Sequence, residues 1–252
     1  MSSGVVLETR ALCKSFGALT VAENINFKLA PGARHALIGP NGAGKTTFVN
    51  MLTGRLAPSA GQILLAGDEI TRASQGERVK RGLGRTFQIN TLFRNLTVVD
   101  NVALAVAERL GVSKGLFRPA SAHQAVVDES MVLLDSLGLG ADARLLLSGL
   151  PYGKQRLVEI AIALGLKPRV LLLDEPAAGV PSLESHRIFE VLDALPKEIA
   201  ILIIEHDMDL VFRFAQRITV LAQGAVLMEG TVAEVRNDER VRQVYLGESH
   251  HG

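Results

Sequence analysis

The chain has 252 residues and carries 27 Lys and Arg against 26 Asp and Glu, a net charge of +1. That length holds one large domain, or one domain with a subdomain, and easily buries a core. The near-balance of charge gives no case for a nucleic-acid partner, whose binders usually carry a clear basic excess, and one cysteine, Cys13, excludes an internal disulfide.

The opening MSSGVVLETR lacks the charged-then-apolar layout of a secretion signal, and no apolar run reaches the ~18 residues that span a bilayer. The expectation is a soluble, cytoplasmic protein. Alternation at Ile25, Phe27 and Leu29 predicts antiparallel strands ending at the turn Pro31-Gly32. ARHALIG is apolar enough for a buried parallel strand, and it runs directly into GPNGAGKTT. From Gly39 through Gly44 to Lys45 and Thr46 the pattern is G-x-x-x-x-G-K-[ST]. Gly42 and Gly44 can take backbone angles closed to other residues, so that successive N–H groups turn inward around an anion. Lys45 then sets a charge on the β- and γ-phosphates, and the Thr46 hydroxyl is a magnesium ligand. TTFVNMLTG reads as a helix ending at Gly54, with its positive end on the same phosphates. Strand, loop and helix come in the order a phosphate cradle requires, and the sequence therefore predicts nucleotide binding.

QILLAGDEI predicts a strand with a turn, and RASQGERVKRG a short helix whose Arg78, Lys80 and Arg81 read as a solvated face. LGRTFQ reads as a strand ending at Gln88, an amide able to touch both magnesium and water. In INTLFRNLT, Leu92, Phe93 and Leu96 either form a docking groove for a helix of a membrane protein or cover a neighbouring core. From about Asn90 to Leu166 the pattern turns helical, interrupted by glycines and Pro119 and resuming with Val127, Met131 and Leu134 on one face. PRVLLLDEP is a strand covered on both sides, ending in Asp174 and Glu175, where doubly wound folds place their ligands. Asp174 suits magnesium held through water, and Glu175 suits a general base. A stripe of Ile188, Val191, Leu192 and Leu195 precedes the strand IAILIIEHD, giving a crossover unit with His206 at its end, in reach of a γ-phosphate. ITVLAQGAVLMEG predicts a hairpin turning at Gln223-Gly224. Thr231 and Glu234 form a capping box for one final helix carrying Val235, Val241 and Leu246.

Phe16, Gln88, Asp174 with Glu175, His206 and the motifs GPNGAGKTT, GRTFQ, LTVVDNV, EPAAG, IEHDMDLV and YLGE together resemble the ATP-binding subunits of ABC transporters, over essentially the whole chain. The resemblance implies an α/β P-loop NTPase with a mixed, largely parallel core sheet, an N-terminal antiparallel β-subdomain and an inserted helical subdomain. It implies one domain over residues 1–252, with the core at 1–89 and 167–252 and the helical subdomain at about 90–166. Phe16 would stack on adenine, and Gly39, Pro40, Asn41, Gly42, Ala43, Gly44, Lys45, Thr46 and Thr47 would hold the phosphates of ATP. Thr46, Gln88 and Asp174 would hold Mg2+, with Glu175, His206 and Gln88 acting in hydrolysis. Tyr152, Gly153 and Lys154 lie in the signature segment, which would cap the nucleotide of an opposite subunit.

The resemblance also implies partners. These are two membrane-spanning permease subunits, a second and different ATPase subunit in a head-to-tail dimer, and, indirectly, a periplasmic or extracellular solute-binding protein. The chain would then sit on the cytoplasmic face of the inner membrane. Within the family its texture is most similar to the ATPase subunits of branched-chain amino acid importers. Other readings are the ATPase of a different ABC system, such as lipid or polysaccharide export, and a non-transport ABC protein acting on DNA or ribosomes. The latter usually needs two cassettes, a coiled-coil insertion or a basic surface, and a P-loop kinase or GTPase lacks the second-half motifs. Two departures stand out. The family's LSGGQ reads LPYGK here, so Pro151 removes a serine hydroxyl and Lys154 replaces a neutral amide. Pro181 stands where the loop after Glu175 usually carries an Asp or Asn that speaks across the dimer.

Overall fold

The computed structural model describes residues 4–86, 92–112 and 124–246. Gln88 and the Pro119 stretch lie outside the described residues. In chain order the first elements are β1 (Leu7–Phe16), β2 (Leu19–Leu29), β3 (Arg34–Ile38), α1 (Lys45–Thr53), β4 (Ala60–Leu65), β5 (Asp68–Glu69), α2 (Gln75–Lys80) and β6 (Leu83–Arg85). Three helices follow, α3 (Val98–Arg109), α4 (Gln124–Ser136) and α5 (Tyr152–Gly165), then β7 (Val170–Asp174), α6 (Ser182–Ala194) and β8 (Ala200–Ile204). The chain closes with α7 (Met208–Phe214), β9 (Arg217–Ala222), β10 (Ala225–Thr231), α8 (Val232–Asn237) and α9 (Glu239–Leu246).

The contacts divide the chain into two compact units, 1–83 with 169–175 and 195–252, and 84–168 with 176–194. These units depart from the expected core of 1–89 and 167–252 at 84–86, 167–168 and 176–194, and the last stretch holds α6, which clusters with the helical segments. Its reason is packing: Gly153 in α5 lies so near Glu184 in α6 that an added Cβ would come 2.2 Å from Oε2. Among the described residues no helix is long and apolar enough to cross a membrane.

In the first unit, β2-β1-β4-β5 form an antiparallel sheet, and the second sheet runs β10-β9-β3-β8-β7-β6. Strands β9, β3, β8 and β7 are parallel neighbours, which is why β3, β7 and β8 read as unbroken apolar runs. Helix α1 buries Phe48, Val49, Met51 and Leu52, and Phe48 meets Phe27 of β2 edge to face at 5.7 Å. The β9–β10 hairpin turns at Gln223 and Gly224, both at positive φ, the two-residue geometry whose twist matches its strands.

Three expectations need correction. Arg78 is not on a solvated face: it is 2 % exposed and donates to the carbonyls of Met51 and Leu52 at 2.6 Å, Thr71 at 2.8 Å and Ala73 at 3.0 Å. A guanidinium is the side chain best able to satisfy the orphan carbonyls at the end of α1, where the helix dipole also favours it. Helix α4 buries Val126, Ser130 and Leu134 rather than Val127 and Met131. Ser130 is tolerated inside because its hydroxyl donates to the Val126 carbonyl at 2.7 Å. The final helix is two, because Asp238 ends α8 and its carboxylate accepts the N–H groups of Arg240 and Val241, opening α9. Val235 and Val241 are buried as expected, while the Leu246 side chain lies outside the described part.

His35 of β3 is 1 % exposed, edge-on to Phe27, and bonded to the Thr219 hydroxyl at 2.8 Å. Burial, helped by the Arg217 charge, lowers its pKa to about 4. An unfolded His titrates near 6.5, so below that pH the unfolded chain takes up a proton the folded protein refuses. This contribution to stability is complete above about pH 6.5 and is lost as the pH falls toward 4, by about 3 kcal/mol in all. Urea denaturation should therefore lose roughly 2 kcal/mol less between about pH 7 and pH 5 in His35→Gln than in the wild type. Identical pH slopes would assign the acid sensitivity to other groups.

Candidate nucleotide site

Strand β3 is buried throughout and delivers the chain to Gly39. Gly42 and Gly44 have φ of 77° and 97°, the left-handed angles expected of them. At Gly39 the need is space, because a Cβ would lie 2.2 Å from the Leu221 carbonyl. The Gly224 N–H donates to the Ala43 carbonyl at 3.1 Å, so the hairpin turn braces the loop from behind. Gly44 is also the N-cap of α1 and offers no side-chain acceptor, leaving the first N–H groups of the helix to an anion. Lys45 folds over the loop, its ammonium donating to the carbonyls of Gly39 and Pro40. Asn41 and Thr46 are exposed beside it.

Strand register brings the distant candidates to this loop. Leu37 of β3 pairs with Ile204 of β8, and Ile204 pairs with Asp174 of β7. One residue or two beyond that level come Gly39, Glu175, Glu205 and His206, all at the carboxyl end of the sheet, where such folds hold ligands. Glu175 has φ of 47° and its N–H donates to the Ile204 carbonyl at 2.9 Å. A glutamate in that region is strained by about 1 kcal/mol or more, and the conformation turns its half-exposed carboxylate off the strand line. The His206 Nδ1 lies 4.0 Å from Glu175 and 3.7 Å from Glu205. Glu205, which the sequence did not single out, is buried and accepts the His206 N–H at 3.0 Å, fixing the start of the His206 segment. Its only signal was a charge following six apolar residues.

Phe16 ends β1 with its ring 53 % exposed, and the Lys14 ammonium stands 4.9 Å from the ring centre. Residues two apart on a strand share a face, so the pair was readable from spacing. An exposed aromatic ring is a surface on which a base can stack.

The signature segment lies in the second unit. Pro151 is the N-cap of α5, and Tyr152, Gly153 and Lys154 form its first turn. Tyr152 is 40 % exposed, packed 3.5 Å from where a Gly179 Cβ would stand, and covered by Arg156 at 5.3 Å from the ring centre. Arg156 also donates to the Tyr152 hydroxyl at 3.1 Å and to Glu159 at 2.9 Å. Burial raises the Glu159 pKa to about 7, against the lowering pull of Arg156. Lys154 is not a free charge: its ammonium binds Asp142 at 2.7 Å. The first unit thus gathers Phe16, residues 39–47, Asp174, Glu175 and His206, and the second presents Tyr152, Gly153 and Lys154.

The profile of the ABC transporter family matches residues 22–178, and that of the branched-chain amino acid ATP-binding cassette transporter matches 225–251. The high-affinity branched-chain amino acid transport ATP-binding protein LivG of Escherichia coli K12 is 40% identical, over 97% of this chain and 98% of its own. BraF of Pseudomonas aeruginosa, of the same description, is 36% identical over 97% and 98%. The ADP conformation of MJ1267, an ATP-binding cassette of an ABC transporter, superposes with a TM-score of 0.85 at 29% identity, over 97% of this chain and 100% of that one. With its phosphate loop, paired carboxylates and strand-end histidine in the register described above, this chain belongs to the ATP-binding subunits of ABC transporters.

Proposed function

We propose that this ATPase subunit energises the import of branched-chain amino acids or related small solutes. The observation that carries the hydrolytic part is the register that sets Gly39, Asp174 with Glu175, and His206 at one end of the sheet. In this reading Lys45 leaves the Gly39 and Pro40 carbonyls for the β- and γ-phosphates of ATP, the loop N–H groups hold them, and Phe16 stacks on adenine. The Thr46 hydroxyl and the Asp174 carboxylate are oxygen donors of the kind Mg2+ prefers, with Gln88 as a third candidate; the ion would offset phosphate charge. Glu175 accepts a proton as water oxygen bonds to the γ-phosphorus, the bond to the β–γ bridging oxygen breaks, and ADP and phosphate leave. His206, held by Glu205, contacts the γ-phosphate.

Membrane-spanning permease subunits supply the path through the bilayer, a second ATPase subunit supplies the facing signature, and a solute-binding protein delivers cargo. The chain works on the cytoplasmic face of the membrane. LivG and BraF carry branched-chain amino acid transport in their names, and their likeness across the whole chain supports the solute class. Deleting the gene should abolish high-affinity uptake of radiolabelled leucine, isoleucine or valine, restored by the wild type and not by Glu175→Gln. Normal uptake of all three, with loss of another solute, would reassign the cargo.

Leu92 is buried, while Phe93 and Leu96 are 59% and 37% exposed. They adjoin Leu146, also exposed, because the Leu147 N–H donates to the Leu96 carbonyl at 3.0 Å. This apolar patch is the proposed seat of a permease helix, and only Leu92 serves the unit's own core. Phe93→Ala should weaken co-purification with the permease subunits roughly tenfold or more, with basal hydrolysis intact. Unchanged assembly with loss of folding would return Phe93 to a packing role.

A further inference from the structure

The second unit encloses a small cavity between the end of α4, the start of α5 and the first turns of α6. Leu139, Leu157 and Ile188 give it an apolar floor, at 0%, 4% and 1% exposure. Two opposite charges of α6, Glu184 and Arg187, line the same cavity. They are three residues apart, a spacing at which such side chains ordinarily pair. Here they do not, and among the described residues neither has a hydrogen-bond or ion-pair partner.

Helix ends account for where each charge sits. The Glu184 carboxylate lies against Gly153 in the first turn of α5, and the Arg187 guanidinium lies over Gly138 just past α4, 3.3 Å from where a Cβ would be. A carboxylate at a helix start and a cation at a helix end are both favourable. Those dipoles leave the carboxylate oxygens and the guanidinium N–H groups with their bonding capacity unused. The third charge on the cavity, Lys154, is already neutralised by Asp142. What remains for a ligand is one acid, one base and an aliphatic floor.

We propose that this cavity binds a small aliphatic zwitterion, an α-amino acid, at a site separate from the nucleotide. Its carboxylate accepts paired N–H groups from Arg187, its ammonium donates to Glu184, and its side chain lies on Leu139, Leu157 and Ile188. A monoanion would leave the Glu184 charge facing it, and a monocation would do the same to Arg187. Because Pro151, Gly153 and Lys154 form one wall, a bound amino acid ties the start of the signature helix to α6 and slows turnover. That regulatory consequence rests on the ATPase reading above; the binding does not. With both charges open to water, affinity is expected on the order of 1 mM.

The test is isothermal titration of the full chain with L-leucine, with 4-methylpentanoate, which lacks the ammonium, and with leucinamide, which lacks the carboxylate. Leucine should bind saturably, and each analogue at least tenfold more weakly, as should leucine to Glu184→Gln and Arg187→Gln. Both variants should keep wild-type melting and basal ATP hydrolysis, while hydrolysis by the wild type falls as leucine saturates. No saturable heat up to about 20 mM, equal binding of the analogues, or unchanged binding by both variants overturns the site. The outcomes separate from the transport reading: leucine bound by a chain whose complex carries another solute keeps the site and removes that cargo, and leucine transport without binding does the reverse.

Discussion

Glu175→Gln should cut steady-state ATP hydrolysis by roughly 10²-fold or more while leaving ATP affinity within about threefold of the wild type. The expectation follows from where the residue stands. Glu175 is one position past Asp174, at the end of β7, with φ of 47° and its N–H tied to the Ile204 carbonyl. That backbone hold does not involve the side chain, so an amide of the same length should take the same place without disturbing the phosphate loop. What the amide cannot do is accept a proton from water. ATP-loaded dimers should accumulate as a result, visible as an earlier peak in size exclusion. Phosphate release close to the wild-type rate would remove Glu175 from the base role and turn attention to His206, 4.0 Å away.

The same residue shows which parts of the molecule the sequence disclosed. Motifs whose physics is local were readable. Gly42 and Gly44 had to sit at positive φ, Gln223-Gly224 had to turn a hairpin, and Thr231 with Glu234 had to cap a helix, because each depends on neighbours a few residues away. The meeting of Gly39, Asp174 and His206 was also legible, since buried parallel strands deliver their ends to one edge of a sheet. Arg78 was not. Its acceptors include Met51 and Leu52, carbonyls 27 and 26 residues distant, and nothing in a run of basic residues says which one turns inward. The α4 stripe failed for a related reason: Val127 and Met131 are the more apolar choice, yet Ser130 is buried by satisfying its hydroxyl within the helix. The split between α8 and α9 rests on one carboxylate, Asp238, whose capping bonds compete with a continuous helix. Side chains that bond to backbone across long separations are where periodicity stops being a guide.

The second large effect concerns the signature turn, and Lys45→Ala in the assembled transporter should expose it. In the head-to-tail pair proposed above, this chain's phosphate loop would face the partner ATPase's signature, and the partner's loop would face LPYGK. A serine at position 151 would offer a hydroxyl to a charged phosphate, a bond worth about 1.5–3 kcal/mol, so its loss slows closure by one or two powers of ten. Lys154 is a poor substitute, because its ammonium is drawn to Asp142 at 2.7 Å and an ammonium is a looser constraint than a fixed donor. In the proposed pair with a different ATPase subunit, the site completed by LPYGK should therefore be the slow one, and the site holding Lys45 should carry most of the turnover. Lys45→Ala should leave at least tenfold less ATPase activity and transport than the matching change in the partner. Two companions test the cause. Pro151 occupies the N-cap of α5, a position that favours serine, so Pro151→Ser should fold and raise turnover at the slow site. Asp142→Asn should do the same more weakly by releasing Lys154. Equal losses from the two lysine changes, with no gain from either companion, would mean that the two sites are equivalent and that LPYGK closes on ATP as well as the serine-bearing form.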